Sequence, residues 1–185
     1  MFFNKIKDEE KKFLSVLFGV CVGDALGVPS EFKTRQSLKL NPVVDMQGFG
    51  VHKQPIGTWS DDSSMTFCLA ESLCDGLNLR DIADKFVRWA CHNYWTARGE
   101  VFDIGNATSI AILNLQKGYS PEEAGLNRFN SNGNGSLMRI LPIVFFLEHY
   151  SDEKDDEKFE IIRKVSSITH SHEISIISCC IYIEF

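Results

Sequence analysis

Gly57-Thr58-Trp59-Ser60-Asp61-Asp62-Ser63-Ser64-Met65 sets a hydroxyl and two carboxylates in succession, just ahead of the apolar stripe Met65, Leu69 and Leu73. Apolar residues recurring every fourth position describe a helix that buries one face. The Gly57 and Trp59 that precede it describe a turn leading into that helix. Two readings of Ser60-Asp61-Asp62 stand open at this point. One is an N-cap whose acids suit the positive end of the helix dipole. The other is a set of hard oxygen donors for a magnesium-type cation, which keeps several waters and needs few carboxylates.

Helical periodicity extends outward in both directions. Upstream, Phe13, Leu17 and Cys21 recur beside Leu14 and Phe18, predicting a central first helix, with Gly23 and Gly27 allowing close backbone approach and Pro29 marking its end. Residues 33–58 hold Pro42, Gly48, Gly50, Pro55 and Gly57 and read as a long surface excursion, a length of loop that is usually functional. Downstream, helices are predicted over 63–75, 79–95 (Ile82, Phe86, Trp89, Ala90), 105–117 and 135–149. A further helix follows the acidic run Asp152 to Glu157, which reads as a solvated helix start. No strand alternation or internal repeat is present, so the expected fold class is all-α, in a single domain over 1–185.

The 44% hydrophobic and 24% charged content describes an ordinary globular chain and excludes a disordered one. A net charge of -6 argues against a nucleic-acid partner, which needs a basic face, while leaving room for a local phosphate site. The six cysteines form no C-x-x-C pair and sit among apolar residues, so they read as buried reduced thiols of a cytoplasmic protein. The apolar run 13–23 follows acidic Asp8, Glu9 and Glu10, lacks a small-x-small cleavage site and falls short of a bilayer span, so it reads as a buried helix with no membrane partner.

Other segments carry chemistry-bearing residues. Asp24 lies within an apolar helix, where an unpaired carboxylate is costly, so it is expected to pin a neighbouring loop; Glu31 is either a surface acid or a group reaching a cation. Asn132-Gly133-Asn134-Gly135-Ser136-Leu137-Met138-Arg139 is a glycine-rich run entering a helix, either an anion site or a plain turn with a cap. Phe102-Asp103-Ile104-Gly105-Asn106-Ala107-Thr108 reads as a loop with Asn and Thr capping. His170 and His172 are two apart and share no helix face, which disfavours a zinc site. His170 suits a polar helix-end contact.

Taken in order, Gly23-Asp24-Ala25-Leu26-Gly27 with Glu31, Trp59 to Met65, Phe102 to Gly105, Asn132 to Arg139, and Ile168-Thr169-His170 resemble the ADP-ribosylglycohydrolase family. The resemblance implies a helical bundle around two magnesium ions that position the ribose of an ADP-ribosyl group. It implies Ser60, Asp61, Asp62 and Glu31 as metal ligands, and Glu31 and Asp103 as catalytic acids. It implies Asn132, Gly133, Asn134, Gly135, Ser136, Met138 and His170 as substrate contacts. The implied reaction is magnesium-dependent cleavage of the glycosidic bond joining ADP-ribose to a protein side chain or related acceptor. The partner would be an ADP-ribosylated protein or an ADP-ribose-like small molecule. The family's late Asp-x-Asp-Thr-type ligand segment has no match here, and Ile181 to Phe185 end the chain within an apolar run. The chain therefore reads as an N-terminal part lacking the C-terminal metal-ligand segment, with the second metal site incomplete and activity impaired. The alternative is a catalytically inactive ADP-ribose-binding or structural domain on the same scaffold.

Overall fold

The computed structural model describes residues 7–148, 150 and 154–184. Among these residues there is no strand, only two isolated bridges, Phe49 with Gln54 and Leu126 with His170. The elements are α1 (Asp8–Gly27), a 3-10 turn (Val28–Ser30), α2 (Arg35–Leu40), α3 (Asp61–Leu73), α4 (Leu79–His92), α5 (Asn106–Gln116), α6 (Pro121–Ala124), a second 3-10 turn (Leu137–Arg139), α7 (Ile143–Leu147), α8 (Asp155–Ser167) and α9 (Glu173–Glu184). The fold is all-α, as the periodicity predicts.

Helix α3 is the buried axis. Met65, Cys68 and Leu69 are fully enclosed and meet Ile82, Ala83, Phe86 and Trp89 of α4, together with Ile140, Ile143, Ile162 and Val165. Each such aliphatic or aromatic side chain contributes about 1.5–3 kcal/mol by leaving water. The α4 start is fixed by Asn78, whose side chain accepts from the Asp81 N–H at 3.1 Å. Asn93, in the left-handed region at φ 57°, ends that helix.

Three expectations need correction. Helix α1 is not central: Ala25 is its one buried residue, and Phe18, Val22 and Leu26 are exposed. A Cβ at Gly23 or Gly27 would meet nothing within 4 Å, so neither glycine serves a close approach. The hydrophobic run belongs to a longer helix than its core suggests, and Asp8–Ser30, 23 residues, is long and apolar enough to cross a membrane by length and composition. Second, the helix expected over 135–149 is broken at Pro142, which has no N–H to donate and crowds the preceding turn. Third, the cysteines are free but not uniformly buried: Cys68 and Cys179 are enclosed, whereas Cys74 and Cys91 are exposed. The 33–58 excursion is largely irregular, with the short α2 inside it. Asp152, Glu153, His149 and Phe185 lie outside the described residues.

Candidate functional site

Asp24 organises the first turn of α3 from across the fold. Its Oδ2 accepts from the Ser60 N–H at 2.9 Å, the Ser63 N–H at 3.0 Å and the Ser63 hydroxyl at 2.6 Å; its Oδ1 accepts from the Ser60 hydroxyl at 2.7 Å. A distant carboxylate thus does what an N-cap side chain ordinarily does, and Ser60 makes no side-chain cap bond. With the backbone N–H groups satisfied by Asp24, the side chains of Asp61 and Asp62 are released from capping and line a cleft of ≈ 640 Å³.

Glu31, just past the Val28–Ser30 turn, and Asp103, in the loop before α5, line the same cleft. Asp103 holds φ 55° and Phe32, next to Glu31, holds φ 58°, left-handed conformations that cost a non-glycine residue about 1 kcal/mol or more. Gly50 occurs where only glycine fits: φ is +60°, and a Cβ would stand 2.5 Å from the Pro29 carbonyl oxygen. This contact sets the 48–57 loop beside Glu31. From that loop His52 reaches both acids. Its Nε2 lies 2.6 Å from the Glu31 carboxylate and 3.7 Å from that of Asp103, and its ring packs 5.2 Å from the Phe102 ring. Glu31, His52 and Asp103 bring ligand atoms within 4.8 Å of one another, close enough to hold a metal ion.

The acidic wall is electrostatically crowded. Burial, then the charges of Asp62, Asp103 and Asp24, push the Asp61 carboxyl up to about 8. Burial and the Asp24 charge also raise Asp62, against the Ser60 hydrogen bond. Burial raises Glu31 as well; the His52 hydrogen bond opposes the rise and neighbouring Asp103 adds to it. The donors are all carboxylate oxygens plus one imidazole, and clustered buried carboxylates are relieved by a bound divalent cation. Asp61, Asp62 and Glu31 therefore fit a hard, oxygen-seeking ion.

The opposite wall is the glycine-rich loop. Gly133, Asn134, Gly135 and Met138 line the cleft with His170, Thr108, Ser131 and Arg128. A Cβ at Gly135 would stand 2.6 Å from His170 Cε1 and 3.2 Å from the Thr108 hydroxyl, so glycine there keeps the loop against the imidazole. His170 is held by a parallel bridge to Leu126: the Leu126 N–H donates to the Thr169 carbonyl at 3.3 Å, and the Ser171 N–H to the Leu126 carbonyl at 3.0 Å. Gly125 permits this contact, since a Cβ would fall 2.1 Å from the Ser167 carbonyl oxygen.

Nine of the twelve residues expected from sequence to line a site meet around this one cleft. Three do not. The Ser60 hydroxyl turns to Asp24, with Asp62 at 3.3 Å. Ser136 is fully buried and takes a hydrogen bond from the Ser166 hydroxyl at 2.9 Å. Asn132 is exposed and stands outside the lining. Sequence reasoning passed over His52 and Arg128, and took Thr108 only as a capping residue. The signal for His52 was its place in an unusually long loop ahead of the acidic pair; for Arg128, a cation shortly before the glycine-rich run.

A helical domain with an acidic wall of carboxylates facing a glycine-rich loop across one cleft defines the class of site. The chain belongs to the ADP-ribosylglycohydrolase family, whose model matches residues 6–185. It is 32% identical over 173 residues to the ADP-ribosylarginine hydrolase Tri1 of Pseudomonas putida, covering 89% of this chain and 42% of that protein. It is 27% identical to the ADP-ribosyl-[dinitrogen reductase] glycohydrolase of Rhodospirillum rubrum, covering 90% of this chain and 53% of that one. A solved ADP-ribosylglycohydrolase-related protein complex superimposes with a TM-score of 0.67 at 29% identity, over 91% of this chain and 52% of the other. The chain thus spans about half the length of these relatives.

Proposed function

We propose that this chain carries the substrate cleft of a hydrolase that removes ADP-ribose from a modified side chain, arginine in the first instance. The observation that carries the reading is the single cleft joining four carboxylates on one wall to the Gly133–Gly135 loop and His170 on the other. ADP-ribose is a diphosphate flanked by two riboses. An anion-accepting loop beside Arg128 suits the diphosphate, and the acidic wall suits the hydroxyls of the ribose to be cleaved. The relatives named for ADP-ribosylarginine and ADP-ribosylated dinitrogen reductase support this choice of substrate.

Hydrolysis breaks the bond between the ribose anomeric carbon and the side-chain nitrogen; water supplies the hydroxyl and a proton goes to the leaving nitrogen. Asp61, Asp62 and Glu31 would hold magnesium, which when bound fixes ribose hydroxyls and polarises oxygen. Glu31 or Asp103, both lining the cleft, would receive the proton from water. His52 donates to Glu31 and holds its carboxylate at the cleft wall. Asp61, at the start of α3, turns its carboxyl group to the ribose side of the cleft, where a bound cation would favour its ionised form.

The test is release of free ADP-ribose from ADP-ribosylarginine by the purified chain with magnesium, beside calorimetric titration with ADP-ribose. Weak release that vanishes in Asp61→Asn is the expected result. Binding without release assigns the chain to the non-catalytic alternative, and neither binding nor release overturns the reading.

A further inference from the structure

Arg139 is a fully buried guanidinium, and among the described residues no carboxylate pairs with it. Its Nη2 donates to the Val165 carbonyl at 3.2 Å and to the Thr169 hydroxyl oxygen at 2.9 Å, and the group lies 4.5 Å over the Phe86 ring. Its Nε and Nη1 find no partner. A cation in such surroundings is kept for what it does to its neighbours, because burying it unpaired is costly.

The neighbour is His170, through Thr169. Thr169 Oγ1 lies 2.9 Å from His170 Nδ1. A hydroxyl carries one proton and two lone pairs. Here one lone pair is taken by Arg139. Among the described residues the hydroxyl proton has no acceptor other than His170 Nδ1. Were Nδ1 protonated, a fully buried hydroxyl would be left with an unmet donor, an arrangement that costs about 1–3 kcal/mol. The direction of the relay is therefore Arg139 to Thr169 to His170 Nδ1, and the ring's single proton belongs on Nε2. Burial, then the Arg139 charge, lower His170 to about 4, so the imidazole is neutral near pH 7. Among the described residues Nε2 has no hydrogen-bond partner, and it borders the cleft beside Gly133 and Gly135.

We propose that Arg139 and Thr169 are positioning residues that lock His170 as a neutral imidazole with its N–H at Nε2, a fixed donor for a phosphate or ribose oxygen of ADP-ribose. The donor's ligand rests on the reading of the cleft given above; the tautomer does not. An imidazole locked this way donates at neutral pH without titrating, as a backbone N–H does. It also explains why a cation is retained behind the glycine loop with no acid to balance it.

Nitrogen-15 NMR of the histidine side chains at pH 7 tests this on the chain as it stands. In the unliganded protein, His170 should show an unprotonated Nδ1 and a protonated Nε2. Adding ADP-ribose with magnesium should shift the Nε2 signal. Thr169→Val should move both nitrogens toward tautomer averaging and weaken ADP-ribose binding about threefold to tenfold, the worth of one hydrogen bond. Thr169→Ser keeps the hydroxyl and should restore both signals and the affinity. A wild-type His170 protonated at Nδ1, or charged at pH 7, overturns the lock. So does a Thr169→Val protein with unchanged signals and affinity. If the tautomer is as stated but ADP-ribose shifts nothing, the lock stands and the ADP-ribose reading of the cleft falls.

Discussion

Replacing Asp24 should destabilise the fold and disturb the acidic wall through the same atoms. The Asp24 carboxylate accepts two backbone N–H groups and two hydroxyls of Ser60 and Ser63, both buried. In Asp24→Ala the hydroxyls can turn elsewhere, and that of Ser60 already lies 3.3 Å from Asp62. The two N–H groups cannot turn. Each stranded donor costs about 1–3 kcal/mol. Removing the Asp24 charge returns part of this, because that charge opposes ionisation of Asp61 and Asp62. The net loss should be about 3 kcal/mol at pH 7, a large share of the ~5–15 kcal/mol that holds a domain together. Asp24→Asn keeps one acceptor oxygen but sets an NH2 against an N–H, and should lose about 2 kcal/mol. Urea titration followed by circular dichroism measures both, with an unchanged slope expected for a native state of the same compactness. A loss below about 1 kcal/mol for Asp24→Ala, or an Asp24→Asn protein as stable as wild type, would refute the assignment of Asp24 as the cap of α3.

The remaining predictions concern charge, space and exposure. With metal chelated, stability should fall as pH rises from about 4 to about 8. The sign follows because Asp61, pushed up to about 8, holds its proton in the folded state while the unfolded chain has released it. Magnesium should reverse this trend, its stabilisation growing with pH, and thermal melts with chelator and with magnesium across that range would show it; a flat chelated profile counts against the crowded acidic wall. Gly135→Ala should displace His170 and weaken ADP-ribose binding with little loss of melting temperature, whereas Gly125→Ala should lower melting sharply because its Cβ meets backbone at 2.1 Å. Phe18→Glu, at an α1 position 59% exposed, should change stability by less than about 0.5 kcal/mol, against about 2–5 kcal/mol for Leu69→Ala, which is fully enclosed; similar losses at the two sites would return α1 to the core.

Much of the cleft was legible because its residues come in short local runs. Asp61 and Asp62 head a helix whose stripe is visible in Met65, Leu69 and Leu73, and Gly133 to Gly135 announce a tight loop. Those patterns depend on neighbours along the chain. Ser60 and Ser136 show the limit of such reasoning, since both sit in the right runs yet turn their hydroxyls inward, to Asp24 and to Ser166. Helix α1 failed for a related reason: apolar composition records what a face is able to bury, whereas burial depends on which surfaces arrive.

By itself the sequence determined the helical class, the α3 axis, the acidic pair and the glycine loop, because periodicity and capping act over a few residues. Tertiary structure decided which atoms those groups face. Asp24 frees Asp61 and Asp62 by capping α3 from 36 residues away, His52 joins Glu31 to Asp103, and Arg139 speaks to His170 through Thr169. Hydrogen bonds of that kind depend on distances of a few tenths of an ångström between remote segments, and no local pattern encodes them.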